Sequence, residues 1–254
     1  MLLLRNILEF LRKLDYFIPV MKFATPLIEG TLIKRYKRFL ADVRLNGGGV
    51  TTAHCPNSGS MKSCKEPGWP VMLSDSNNPK RKLRFTWEMV HNGTCWIGIN
   101  THRANHIARE AIGKGNIPEL EGYDKIRSEV KYGQNSRIDL LLSGNGKSCY
   151  VEIKNVTLVE DDGHYYFPDA VTERGRKHLG ELEEMVRQGH RAVMLFVIQR
   201  SDGDIFKPAD HIDPKYGDAL RRALDNGVEA LAYRAEVTKR EIYICEKIAI
   251  QLNL

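Results

Sequence analysis

The 254-residue sequence predicts an α/β protein, α+β overall, in which a small β-barrel precedes a mixed central sheet flanked by helices. Three observations carry this expectation. From Leu27 to about Val90, short strand-like runs alternate with turn clusters and show little helical periodicity. Between Arg137 and Lys154, two apolar runs flank the turn Ser143-Gly144-Asn145-Gly146-Lys147, a hairpin signal. Beyond Pro168, an amphipathic helix, a continuously apolar run, a second helix and a further strand succeed one another, the order of a parallel crossover. These boundaries divide the chain into an extension over 1–20, a first domain over 21–95 and a second over 96–254.

The extension differs in composition from the remainder of the chain. Arg5, Glu9, Arg12, Lys13 and Asp15 interrupt its leucines too often for a membrane-spanning helix, and no small-residue cleavage site follows an apolar core. Leu4, Ile7, Leu8, Leu11 and Leu14 would share one side of an amphipathic helix. The preferred reading is a start set upstream of the true first residue, Met21, in a cytoplasmic protein.

In the first domain the breaks fall at Asn46-Gly47-Gly48-Gly49, Pro67-Gly68 and Asp75-Ser76-Asn77-Asn78-Pro79. Within Ile33–Phe39, the cations Lys34, Arg35, Lys37 and Arg38 interleave with Tyr36, as in surfaces that follow phosphates and stack bases. As a strand, this run puts Lys34, Tyr36 and Arg38 on one face and Arg35, Lys37 and Phe39 on the other. Lys80, Arg81 and Lys82 form a second basic run that would extend the same surface. A solvated edge whose lysines discourage strand pairing has the same composition. In His54-Cys55-Pro56-Asn57-Ser58-Gly59, adjacent side chains point to opposite sides of an extended chain, so a His–Cys nucleophile is disfavoured. A turn near the interdomain cleft, offering backbone N–H groups to a phosphate, is the expectation.

The second domain begins with a helical pattern over Asn105–Ile112 carrying Glu110, followed by an alternating strand over Ile126–Tyr132 carrying Glu129. In the hairpin, pairing Ser143 with Ser148 carries Asp139 opposite Glu152. Lys154 lies on their face, while Ile138, Leu140, Val151 and Ile153 point to the other. Facing like charges destabilise a sheet, and a divalent cation is the natural reason to keep them. Asp139 and Glu152, with the carbonyl of Ile153, would hold Mg²⁺ (or Mn²⁺), Lys154 would orient a water, and Glu129 or Glu110 would complete a phosphodiesterase site. A half-exposed hairpin in which Lys154 or Arg137 merely neutralises the acids has the same spacing. Downstream, Asp169 is a candidate N-cap for a helix from about Val171 to Gln188, whose apolar face is Leu179, Leu182, Met185 and Val186. Its first turns carry Thr172, Arg174, Arg176, Lys177 and His178. Arg174 and Lys177, three apart on one face, are expected to touch DNA, as is Arg137. Ala192–Ile198 reads as a strand buried on both faces, a helix follows Pro214 to about Asp225, and Gly227–Tyr233 reads as the last strand.

That element order with its carboxylates resembles the restriction-endonuclease-like, or PD-(D/E)xK, fold. The strings Gly30–Val43, His54–Met61, Ser136–Asp139, Val151–Leu158 and Phe167–Gly175 make the chain, from Met21 onward, similar to the sugar fermentation stimulation protein A family. The resemblance implies an OB-like N-terminal domain, a nuclease-like C-terminal domain, DNA binding without marked sequence preference and a regulatory role in maltose metabolism.

A formal charge of +6 and a pI near 9.0 suit a polyanionic partner such as DNA. Five cysteines without a CxxC pair argue for a reducing compartment and against a disulfide framework or zinc ribbon. Two readings of different class stay open, a metal-dependent DNA nuclease and a non-cleaving DNA-binding regulator; direct pairing of the acids disfavours a glycosidase. A homodimer is compatible with the fold, although no self-association motif is visible.

Overall fold

The structure, a computed structural model, describes residues 21–133, 136–144 and 146–252, so the expectations for 1–20 and for Asn145 lie outside it. Strand β1 (Met21–Lys22) is followed by β2 (Ile28–Tyr36), β3 (Leu40–Leu45), β4 (Val50–His54), β5 (Pro70–Asp75), β6 (Phe85–His91) and β7 (Trp96–Gly98). Strands β2 to β7 form a sheet of order β4-β3-β2-β5-β6-β7, and β4 meets β6 at His54 and Thr86, closing five strands into an OB-like barrel. Alternation supplies its core: Leu32, Ala41, Val43, Ala53, Leu73 and Trp87 point inward and are buried.

The rest of the chain runs through α1 (Thr101–Gly113), β8 (Lys125–Tyr132), β9 (Ser136–Gly144), β10 (Lys147–Val156), β11 (Leu158–Val159), β12 (Tyr165–Phe167), α2 (Glu173–Arg187), β13 (Arg191–Ile198), β14 (Ile205–Pro208), α3 (Pro214–Asp225), β15 (Glu229–Val237), β16 (Glu241–Lys247) and β17 (Ala249–Ile250). Its main sheet has the order β1-β16-β15-β13-β10-β9-β8, parallel across β10, β13 and β15 and antiparallel at both margins. Because β13 is apolar from Ala192 to Ile198, both its faces need cover. Val193, Leu195 and Val197 join the cluster that contains Ile107, Ala108 and Ala111 of α1, while Met194, Phe196 and Ile198 join the cluster of α2 and α3. A second, four-stranded sheet, β11-β12-β14-β17, flanks the second of these layers.

Several expectations are corrected. The strand at β15 is not the last: β16 and β17 come after it, their alternation short and charged enough to read as a tail. Met21 and Lys22 pair with Ile242 and Glu241, which puts the start of the first domain in the second domain's sheet, and β7 carries the barrel sheet past residue 95 to Gly98. The cap of α2 is Thr172, whose hydroxyl accepts the Gly175 N–H at 3.0 Å; Asp169 accepts the Met61 N–H at 3.0 Å instead. Lys37 and Arg38 take left-handed φ values of 48° and 62° in a tight turn after Tyr36, so the expected two-faced strand through Phe39 does not form.

The hairpin register is as expected, Ser148 opposite Ser143 and Val151 opposite Leu140. The expected sidedness of Ile138 is not. Ile126 and Leu142 pack under α1, whereas Val130 and Ile138 pack with the α2 layer, although even spacing should keep each strand's pair together. Glu129, between them on β8, has a left-handed φ of 55°, and this inverts the pleat of β8 beside Asp139.

Candidate metal and nucleic-acid cleft

The β9–β10 ladder ends at Leu140 and Val151, one residue short of Asp139 and Glu152. There the Asp139 side chain takes over from the backbone: its Oδ2 accepts the Ile153 N–H at 2.8 Å, while Oδ1 accepts from Asn105 Nδ2 of α1 at 2.8 Å. Past this point β10 leans on β13 alone, and the splayed strand ends open a cleft of about 510 Å³ between barrel and sheet. Asp139, Glu152, Ile153 and Lys154 line it from the sheet, Thr101, His102 and Asn105 from α1, and Arg174 and His178 from α2. Arg38, Asn57, Ser58 and Gly59 line it from the barrel, and Glu129 sits exposed at its edge.

Glu152, 2% exposed, holds the centre of the cleft floor. Its Oε1 accepts from Lys154 Nζ at 2.6 Å and from His178 Nδ1, whereas its Oε2 is buried without a partner. Arg174 Nε donates to His178 Nε2 at 3.3 Å, which leaves the imidazole proton on Nδ1, facing Glu152. Burial alone would raise Glu152, but Lys154 and then His178 outweigh it and hold its carboxyl below the usual range. Asp139 goes the other way: burial, then the charge of Glu152, pushes it up to about 6 against the Ile153 N–H and Lys154.

The structure brings Asp139, Glu152, Ile153 and Lys154 together as the spacing predicts, with Arg38 and Arg174 facing the same cleft. Other predicted contacts lie elsewhere. Arg35 donates to the carbonyls of Arg38, Asn57, Gly59 and Ser60, clasping the loop that forms the barrel wall. Lys34 pairs with Asp42 at 3.7 Å and lies over the Tyr36 ring, and Tyr36 donates to Asp42. Lys37, Lys80, Arg81 and Lys82 are exposed, Arg81 near His54. Arg137 donates to the Glu129 carbonyl at 2.8 Å, and Lys177 pairs with Glu181 in a separate depression on α2. The expectation that Arg174 and Lys177 act on one face is therefore corrected: one turn of helix separates the cleft from its flank. Glu110 pairs with Lys114 on the outer side of α1 and does not reach the carboxylates.

His178 and Asn105 complete the site; the sequence placed His178 only among candidate phosphate contacts at the start of α2 and left Asn105 unassigned. His178 lies four residues after Arg174 on α2, a helical spacing that does pair them, but no local pattern reveals that α2 packs against β10. The barrel loop is committed to structure: Gly59 N–H donates to Asn57 Oδ1 and Met61 N–H to Asp169, and burial pushes the Cys55 thiol up, so this segment offers neither those two N–H groups nor a nucleophile. Among the described residues no three His, Cys, Asp or Glu side chains converge as a metal-binding group, and no helix is long and apolar enough to cross a membrane.

Two family profiles match the chain in succession: the SfsA N-terminal OB domain over residues 33–99 and the sugar fermentation stimulation protein RE domain over 102–241. A sugar fermentation stimulation protein homolog of Geotalea uraniireducens is 58% identical over 232 residues, 91% of this chain and 100% of the relative. That of Geobacter sulfurreducens is 61% identical over 225 residues, 89% and 96% of the two chains. The solved structure of Pyrococcus furiosus SfsA in complex with Ca²⁺ matches with a TM-score of 0.82 at 26% identity, covering 91% of this chain and 98% of that one.

Proposed function

The chain belongs to the sugar fermentation stimulation protein family, and from that membership and the chemistry of the cleft we propose that it binds DNA and hydrolyses phosphodiester bonds with a divalent cation, Mg²⁺ or Mn²⁺. The observation that carries the reading is Glu152 Oε2, a buried carboxylate oxygen without a partner beside a second acid whose proton is held up to about pH 6. A buried carboxylate oxygen without a donor is costly, and hard oxygen donors so arranged suit a hard cation. Asp139, Glu152 and the Ile153 carbonyl would hold it, a sparse protein set that suits an ion which keeps several waters. The Ca²⁺ in the Pyrococcus relative, another oxygen-seeking ion, supports the same reading.

When bound, the cation supplies positive charge to a phosphoryl oxygen and acidifies a coordinated water. The chain's own groups do the rest. Lys154 Nζ, held at the cleft by Glu152, orients the attacking water and offers charge to the phosphate. His178, its tautomer set by Arg174, keeps Glu152 ionised and fixed. Asn105 and the Ile153 N–H hold Asp139 in one rotamer. Arg38 and Arg174, on opposite walls, grip the flanking backbone, and the barrel adds a nucleic-acid-binding fold of general type.

A second reading, a non-cleaving DNA-binding regulator of sugar metabolism, is favoured by one observation: Lys154 and His178 already neutralise Glu152 Oε1, as in a structural ion pair. Purified wild type and Glu152→Ala, incubated with labelled single-stranded, duplex and branched DNA in Mg²⁺, Mn²⁺ or chelator, separate the two. Metal-dependent cuts that vanish in the variant are expected. Tight, salt-sensitive binding with no cutting by either protein would leave the regulator.

A further inference from the structure

We infer that the cleft takes nucleic acid as a separated single strand and not as continuous duplex, an inference that rests on the reading of the cleft as a nucleic-acid site. The first ground is size. The acids lie on a floor between two domains, and about 510 Å³ is the size of a small-molecule pocket, room for roughly one or two nucleotides. A duplex, whose major groove alone is about 12 Å wide, is too large to enter a cavity of this size, whereas a strand that has left the stack can follow its floor.

The second ground is that the cleft is framed and cannot simply gape. On the α1 side, Thr101 Oγ1 donates to the Pro56 carbonyl at 2.8 Å. On the α2 side, Met61 N–H donates to Asp169, and next to it Lys62 pairs with Glu160 and Ser63 Oγ donates to the Thr157 carbonyl at 3.2 Å. Arg200, buried, bonds both Ser63 and Thr157 and locks the same seam. Domain opening wide enough for a duplex would break these together.

The third ground is the chemistry of the mouth. Among the described residues three large apolar side chains are exposed: Phe39 at 49%, Val50 at 61% and Val171 at 68%. Val171 lines the cleft, and Phe39 directly follows Arg38, which lines it from the barrel. The Phe39 ring can stack an unstacked base and Val171 offers it an apolar contact, while Arg38 and Arg174 on the same two walls hold the backbone; such contacts have no use against a duplex whose base faces are covered.

The test uses the full chain with a single-stranded DNA circle and a relaxed, closed duplex circle of the same sequence, so that ends play no part. In chelator, each competes with a short fluorescent single-stranded oligonucleotide. In Mg²⁺ and Mn²⁺, each is scored for its first cut. The single-stranded circle should compete at least about tenfold better per nucleotide, and the Phe39→Ser, Val171→Ser double variant, altered only at exposed positions, should lose about tenfold of that binding while its duplex binding stays unchanged. Equal competition by the duplex circle, or a double variant with undiminished single-strand binding, would overturn the inference. If neither circle is cut yet the strand preference and its loss hold, the hydrolytic reading fails and this one stands. If the duplex circle is cut as fast as the single-stranded one, hydrolysis stands and this inference falls.

Discussion

Glu88 and Glu152 are both 2% exposed glutamates on sheet strands, and their surroundings could hardly differ more. Glu88, where the barrel meets α1, has every oxygen engaged. Oε1 accepts from Ser74 at 2.7 Å and Arg103 at 2.9 Å, and Oε2 accepts from Asn100 at 2.8 Å and Arg103 at 3.1 Å. Glu152 spends one oxygen on Lys154 and His178 and leaves the other buried and bare. A buried acceptor without a donor costs about 1–3 kcal/mol, which Glu88 avoids by saturation. Glu152 bears this cost on the floor of the cleft, where a ligand can meet it.

The comparison breaks most visibly through activity. Glu152→Gln should lower metal-dependent cleavage by about a thousandfold or more, while its thermal midpoint in chelator moves by no more than a few degrees. Arg103→Ala should do the reverse. It strands the buried Glu88 charge at a cost of about 3 kcal/mol, read as a midpoint lower by roughly 10 °C in calorimetry, with cleavage per folded molecule nearly unchanged. If Arg103→Ala silenced cleavage in fully folded protein, or Glu152→Gln unfolded the chain, the distinction between the two glutamates would be lost.

Between these stands the frame of the cleft. A Cβ on Gly59 would lie 2.3 and 2.4 Å from the carboxylate oxygens of Asp169, a short side chain already fixed by the Met61 N–H. Gly59→Ala should therefore push the barrel loop off the sheet domain, with a loss of about 1–3 kcal/mol in denaturant unfolding and weaker nucleic-acid binding. Neither change would occur if the seam yielded freely.

How much of this was legible in the sequence depends on the range of the interactions. Asp139, Glu152 and Lys154 were placed by strand alternation and a two-glycine turn, which operate within a few residues, and the register was as expected. The helix after Pro214 and the buried β13 run were equally local. What escaped were partnerships made by packing: His178 from α2 and Asn105 from α1 against the acids, and the clasp of Arg35 on the barrel loop. Glu129 escaped for another reason. Nothing in an alternating run signals one left-handed residue, yet after it Val130 enters the layer opposite to Ile126, beside Ile138. The tight turn at Lys37 and Arg38 was hidden similarly, because neither residue is a glycine or asparagine.

The smallest expected effects are changes of slope with pH, and they sharpen the same contrast between saturated and open acids. Asp202 accepts from Arg200 at 2.7 and 2.6 Å and from Asn92 at 2.6 Å; burial would raise its carboxyl, but Arg200 outweighs it and holds it below the usual range. A depressed folded pKa contributes stability above the unfolded value, near 4, and that contribution is lost as pH falls through the folded value. Asp139, pushed up to about 6, has the opposite sign: its contribution is full below about 4 and is lost as pH rises through about 6. In chelator, then, Asp202→Asn should flatten the fall of the thermal midpoint only below about pH 4, and Asp139→Asn should remove a decline confined to about pH 4–6. Midpoints collected across pH 3–8 for both variants check this. Parallel curves for the two would mean that the cleft acid is as fully compensated as the seam acid, and the case for a cation at Glu152 would weaken with it.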